Sequence, residues 1–219
     1  MKSCLTTAGV IMPDPNNLVL TQHPLAFMLL PKVANTSIKA AVLQSIGIDA
    51  GYPDLNHFMA QAMRNAHIFR IKSKQELAGS DRFKAAFVRN PYDRIVSCYK
   101  DKVVRNHHSA FDKYGIPHGC SFDYFVRRIS DIPDDKADQH FRSQYHELYY
   151  QDKLVPDFVG KFESLNDDWS RLNSLIDLDL SPLPHHNKTD DKTIDISLPL
   201  CRLIRERYAD DFEAFGYAH

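Results

Sequence analysis

The chain has 219 residues and carries 27 lysines and arginines against 28 aspartates and glutamates, a formal net charge of -1. That balance excludes nucleic-acid binding through bulk charge, so any affinity for anions must come from locally placed groups. A hydrophobic share of 43% with 25% charged residues is ordinary for a soluble globular protein, and no apolar run reaches the ~18 residues that cross a bilayer.

Residues 12–17 are turn-rich and lead into a short strand at Leu18-Val19-Leu20. Leu25 to Leu30 is a nearly continuous apolar run broken by Pro31 and Lys32, the pattern of a buried strand in a parallel sheet. Ile38, Ala41, Val42 and Ile46 then recur at helical spacing, with Thr36 or Ser37 available to cap the helix start. A strand, a short loop and a helix N-terminus direct free backbone N–H groups and the positive end of a helix dipole at one spot. Lys32 and the hydroxyls of Thr36 and Ser37 surround that spot, which reads as a site for phosphate or sulfate. The competing reading is an ordinary turn with a solvated lysine. The ATP-binding signature G-x-x-x-x-G-K-[ST] is absent, because this loop has no glycine and its lysine comes first.

Gly47 to Asn56 reads as a loop, His57 to Arg64 as a short helix, and His67 to Ile71 as a short strand or loop. Ser73 and Glu76 have the spacing of a capping box. Phe83 to Val88 is a second buried strand, and Pro91 suits the first position of the helix after it. Ile95, Val96, Tyr99 and Val103 form the core face of that helix, while Lys39 and Arg94 read as solvated helix residues. Arg89 lies at a strand's C-terminal end, where open α/β sheets place their ligands. Asn106 to Cys120 is a long polar loop containing His107, His108 and His118. Ser121 caps a helix with Phe122, Phe125, Val126 and Ile129 on one face, and Ile132 to Asp138 is an acidic loop. Asp157 to Glu163 is a third buried strand, and Ser164 opens a helix carrying Leu165, Trp169, Leu172 and Ile176. A loop from Ser181 to Lys192 precedes one last helix from about Pro199 to Phe212. With no internal repeat, low-complexity tract or linker, the expectation is a single domain over residues 1–219.

The two strand–loop–helix blocks together resemble the paired signatures of sulfotransferases that use 3′-phosphoadenosine 5′-phosphosulfate (PAPS), in particular the family 2 carbohydrate enzymes of the chondroitin and dermatan group. Pro31-Lys32-Val33-Ala34-Asn35-Thr36-Ser37 is similar to that family's 5′-phosphosulfate loop. The run from Val88 to Tyr99, with Arg89, Asn90, Pro91, Arg94 and Ser97, is similar to its 3′-phosphate motif. The likeness continues through His140 to Gln144, Val159 to Glu163, Leu183 to Lys188 and Tyr208 to Tyr217. It implies a three-layer α/β/α sandwich with a mainly parallel central sheet, of the P-loop-NTPase-like sulfotransferase fold. It also implies transfer of a sulfuryl group from PAPS to a hydroxyl of a carbohydrate or glycoconjugate, with no metal. The chain is shorter than the Golgi enzymes it resembles, and with no apolar core of signal-peptide type in residues 1–10 it is expected to lack their membrane anchor. Its four cysteines (Cys4, Cys98, Cys120 and Cys201) are scattered without a C-x-x-C pair. These features argue against zinc and against a redox dithiol, and set the expectation of a reducing cytoplasm. A glycolipid acceptor would add peripheral membrane association.

Sulfuryl transfer resembles phosphoryl transfer through a loose transition state, so alignment and charge stabilisation dominate. On the resemblance, Lys32 neutralises the bridging oxygen as the bond to sulfur breaks, and Val33, Ala34, Asn35, Thr36 and Ser37 hold the 5′-phosphate. Arg89 and Ser97 grip the 3′-phosphate, and Lys188 closes over the cofactor. The acceptor needs a base, and among 11 histidines His140 is selected, with His107, His108 and His186 as competitors. Glu163 is either a base or the orienter of a cation. The rival readings are a nucleotide-kinase-like phosphoryl transferase, for which magnesium ligands and a glycine loop are missing, and a non-catalytic nucleotide-binding module.

Overall fold

The computed structural model describes residues 17–48, 55–65, 67–69, 73–106, 108–184 and 194–218. The first described segment gives strands β1 (Asn17–Leu20) and β2 (Leu25–Met28), then helix α1 (Asn35–Ser45). Helix α2 (Leu55–Arg64), strand β3 (Ile68–Phe69) and helix α3 (Lys74–Ala78) follow. As its capping box predicts, Ser73 accepts the Glu76 backbone N–H. Strand β4 (Phe83–Val88) leads into α4 (Pro91–Tyr99), where Asn90 accepts the Tyr92 N–H and Pro91 takes the first turn.

The helix does not stop at Tyr99. It loosens into a π-helical turn (Lys100–Arg105), and the expected long loop then winds into a 3₁₀ segment (Ser109–Tyr114) that buries Phe111. Helix α5 (Phe122–Ser130), capped by Ser121, and the short α6 (Gln144–Leu148), capped by Ser143, follow. A small hairpin, β5 (Tyr149–Tyr150) with β6 (Lys153–Leu154), precedes β7 (Phe158–Lys161). The chain closes with a 3₁₀ turn (Phe162–Ser164), α7 (Leu165–Leu175), α8 (Leu198–Arg207) and α9 (Ala209–Ala214). The single terminal helix expected from sequence is thus two, broken at Tyr208. That ring is buried, and its hydroxyl donates to the Phe141 carbonyl at 2.6 Å.

The main sheet runs in the order β3-β1-β2-β4-β7. β2, β4 and β7 pair in parallel, with Phe27 opposite Ala85 and Val88 opposite Lys161. β1 is antiparallel to both β2 and β3, so four of the five strands point the same way and the fold is mixed α/β with a mainly parallel central sheet. After β2 the chain goes to β3 on one side and returns to β4 on the other, so the order reverses between β2 and β4. That reversal opens a crevice at the C-terminal ends of these two strands.

Phe27 and Phe87 on the sheet pack against Trp169 of α7 at ring distances of 6.1 and 5.9 Å. The Phe87 ring can lie over β7 because position 160 is glycine, where a Cβ would sit 2.4 Å from that ring. A second buried cluster contains Ile95, Cys98, Phe111, Phe125, Phe141, Ile204 and Phe212. It is helix and loop packing, with no residue of the described strands. Among the described residues, no helix is long and apolar enough to cross a membrane.

Candidate functional site

Three parallel strands end side by side, and each exit carries a cation or a carboxylate. β2 exits through Pro31 and Lys32, β4 through Arg89, and β7 through Lys161 into Glu163. The parallel register places Arg89 beside Phe162, and its guanidinium lies 4.2 Å above the centre of that ring. One guanidinium nitrogen of Arg89 donates to the Lys32 carbonyl at 3.2 Å. The two sequence blocks singled out as anion sites are therefore a single site.

The β2–α1 loop achieves its turn without glycine. Lys32 and Ala34 take left-handed conformations, with φ of 70° and 49°. This corrects the expected cap. The helix starts at Asn35, Ala34 is the N-cap, and neither Thr36 nor Ser37 caps it; no side chain does. The first-turn N–H groups, which have no acceptor inside a helix, remain available to an anion. Val33 and Ser37 are buried, Thr36 is half-buried, and the Asn35 side-chain carbonyl is buried without a hydrogen-bond partner.

Arg89 is held through its backbone. The Gln144 side chain accepts the Arg89 N–H and donates to its carbonyl, both at 2.8 Å. Gln144 is in turn fixed by Asp211, which accepts the Gln144 and Tyr145 backbone N–H groups at 3.0 and 2.7 Å. Burial pushes the Asp211 carboxyl up to about 6, against the pull of Arg94 and these donors. Glu163 accepts the Asn90 N–H at 2.7 Å and the Tyr217 hydroxyl at 3.0 Å, and its charge acts on Arg89. Burial lowers the Arg89 pKa despite Asp93 and Glu163, and its Nε is buried with no partner. A buried guanidinium N–H without an acceptor is an unused hydrogen-bond donor at the end of β4.

Lys32 is not free. Its Nζ pairs with Asp101 of the π-helical turn at 2.8 Å, and Lys102 and Asn106 also reach that carboxylate. Burial would raise the Asp101 pKa, but the Lys32 hydrogen bond and charge, with Asn106 and Lys102, outweigh it and leave it at about 2. Asp101 was missed by sequence reasoning. The signal was there in retrospect: an acidic residue just past the helix that follows the second anion block.

Arg94 corrects the sequence reading outright. Expected in solvent, it is 1% exposed. Its Nε donates to Pro31 O at 3.3 Å, and its two terminal nitrogens donate to Arg142 O at 2.7 Å and Gln139 O at 3.2 Å. One guanidinium thus ties the lysine loop to the segment that carries His140. Lys39 is half-buried as well.

Within that segment, the Asp138 carboxylate accepts the His140 backbone N–H at 2.9 Å and meets His140 Nδ1 at 2.7 Å. With Nδ1–H donated to Asp138, Nε2 is the ring nitrogen left to take a proton. Burial would raise the Asp138 pKa, but His140 and His108 lower it more strongly. Ser97 is buried on α4, one turn beyond Arg94. Lys188, His107 and His186 lie outside the described residues.

A strand-end lysine, an uncapped helix start and an arginine bonded to the same loop gather anion-binding groups at one place. The chain is 23% identical to mouse carbohydrate sulfotransferase 12 over 92% of its own length and 60% of the relative's. It is 24% identical to human carbohydrate sulfotransferase 10, covering 91% of this chain and 66% of that one. Rat carbohydrate sulfotransferase 11 is 25% identical over 71% of this chain and 51% of its own. The chain therefore spans less than two thirds of these relatives. No solved structure matches it. The sulfotransferase family model matches residues 15–218, through both anion loops and all the described elements, and on that match the chain belongs to the sulfotransferase family.

Proposed function

We propose that this protein moves a sulfuryl group from PAPS to a hydroxyl of a carbohydrate or glycoconjugate. The observation that carries this reading is the junction of the two anion loops through the Arg89–Lys32 hydrogen bond. It is supported by the unpartnered buried Nε of Arg89 and by relatives named as carbohydrate sulfotransferases. The donors present fit a bisphosphorylated nucleotide: Arg89 supplies a buried N–H, and the α1 N-terminus supplies uncapped N–H groups.

When bound, the donor supplies an activated sulfuryl group on a phosphate leaving group. The chain's own residues do the rest. Lys32 neutralises charge that develops on the leaving phosphate, after exchanging Asp101 for that anion. Residues 33–37 hold the 5′ end through backbone N–H groups and the hydroxyls of Thr36 and Ser37. Arg89 and Ser97 bind the 3′-phosphate, and Lys188 belongs with the nucleotide by its motif. His140 Nε2 takes the acceptor proton, while Asp138 fixes the tautomer as a positioning residue.

Calorimetric titration with 3′-phosphoadenosine 5′-phosphate, with 5′-AMP as control and no magnesium, tests this reading. Micromolar binding that depends on the 3′-phosphate and on Arg89 is expected. Equal binding of both nucleotides would overturn it.

A further inference from the structure

Among the described residues, one set of imidazole and carboxylate donors converges: His108, Asp138 and His140, whose ligand atoms all lie within 4.8 Å of one another. We propose that these three side chains bind a divalent ion of the zinc class, and that the bound ion arrests transfer. The binding stands on geometry alone, whereas the arrest rests on the reading of His140 as the base.

Two imidazoles and one carboxylate are a donor set that suits zinc and its neighbours, with a fourth position left for water. The Asp138 carboxylate approaches both rings. Its Oδ1 is 2.7 Å from His140 Nδ1 and its Oδ2 is 3.9 Å from His108 Nε2. A tetrahedral ion with bonds of about 2.0–2.2 Å sets its ligands roughly 3.3–3.6 Å apart, within reach of three ligand atoms that already lie within 4.8 Å of one another. Both rings are steadied by packing, since they meet edge to face at 4.9 Å and His108 also lies 4.9 Å from Phe111. The side chains are 29%, 13% and 13% exposed, dry enough to strengthen the bonds and open enough for an ion to enter. The nearby charges offset each other: Lys102 opposes a cation at His108, and Asp101 favours one.

The consequence is a tautomer switch. As the base, neutral His140 carries its proton on Nδ1, donated to Asp138, and accepts at Nε2. An ion on Nδ1 moves that proton to Nε2, with no net release. The ring then has no lone pair left for the acceptor hydroxyl. The cysteine pattern hid this site, because its ligands are histidines and an aspartate drawn from segments about thirty residues apart.

The test is zinc titration of the full chain by calorimetry, paired with cobalt(II) absorption and with His108→Gln. With eleven histidines in the chain, the readout is the difference between the proteins. Wild type should bind one ion that the variant loses or holds at least ~10-fold more weakly, and cobalt should give a tetrahedral visible band only in wild type. Turnover should fall with zinc in wild type and resist zinc in His108→Gln, each protein being compared with its own zinc-free rate. Binding that is the same in both proteins overturns the site. Site-specific binding without inhibition overturns the arrest. If the chain shows no sulfuryl transfer at all, the proposed function fails while calorimetry and cobalt still decide the site.

Discussion

Replacing Arg94 by methionine removes a guanidinium that holds three backbone carbonyls from two segments. Methionine fills similar space but donates nothing, so the carbonyls of Pro31, Gln139 and Arg142 lose that donor in a buried seam. Charge-assisted hydrogen bonds contribute about 1.5–3 kcal/mol each. The Arg142 contact at 2.7 Å deserves that weight, the Gln139 contact at 3.2 Å somewhat less, and the Pro31 contact at 3.3 Å little. Burying the guanidinium offsets part of this sum, which leaves a destabilisation of about 3–5 kcal/mol. With a urea m-value of about 2–3 kcal/mol/M, the unfolding midpoint should drop by roughly 1–2 M at unchanged m. Arg94→Lys keeps the charge but cannot span all three carbonyls, and should recover less than half of the loss. Circular dichroism in urea reads both variants. A loss below about 1 kcal/mol for Arg94→Met would refute the view that this side chain pins the lysine loop to the His140 segment.

Lys32→Ala should cost ~10²-fold or more in turnover while weakening 3′-phosphoadenosine 5′-phosphate by no more than about tenfold, as judged by rate assay against calorimetry; parallel losses would make Lys32 a binding residue only. Arg89→Lys should weaken the same ligand by ~10–100-fold and leave 5′-AMP unaffected, because the planar fork and its stack on Phe162 are lost. The Asp101 carboxyl is lowered from 3.8 to about 2, so its share of stability is complete above pH 3.8 and is lost as pH falls through about 2. That share is at most about 2 kcal/mol, and comparing wild type with Asp101→Asn at each pH cancels the other carboxyls; a constant difference between pH 5 and pH 2 would contradict it. Gly160→Ala should destabilise by about 1–3 kcal/mol by driving a methyl into the Phe87 ring, and a neutral thermal melt would show that the ring can move aside.

Much of the scaffold was readable because it rests on local patterns. Phe83 to Val88 is a strand of unbroken bulk ended by Arg89-Asn90-Pro91, and β4 has those bounds. Ser73 and Ser121 cap the helices that follow them, since a side-chain oxygen and an N–H three residues on need no tertiary help. What could not be read depends on distant partners. Arg94 is polar and sits on an amphipathic helix, so its burial follows only from three carbonyls brought to it by folding. The start of α1 at Asn35 depends on the left-handed turn at Ala34, a conformation alanine alone does not announce. The Lys32–Asp101 pair joins residues 69 positions apart. The Gln144–Asp211 clamp joins residues 67 positions apart, and nothing in the spacing of either pair suggests a meeting.

The glycine-free lysine loop has a thermodynamic consequence. A glycine loop samples many shapes and must be ordered by its ligand, so part of the ligand's interaction energy is spent on that ordering. Here Lys32 and Ala34 hold left-handed angles under restraint from Arg89 and Arg94, and the ordering cost falls on folding instead. Nucleotide association should therefore show a small unfavourable entropy and proceed without a slow loop-closing phase. Ala34→Gly should relieve backbone strain and yet make binding entropy worse, so a change that eases the native chain would weaken its grip on the ligand.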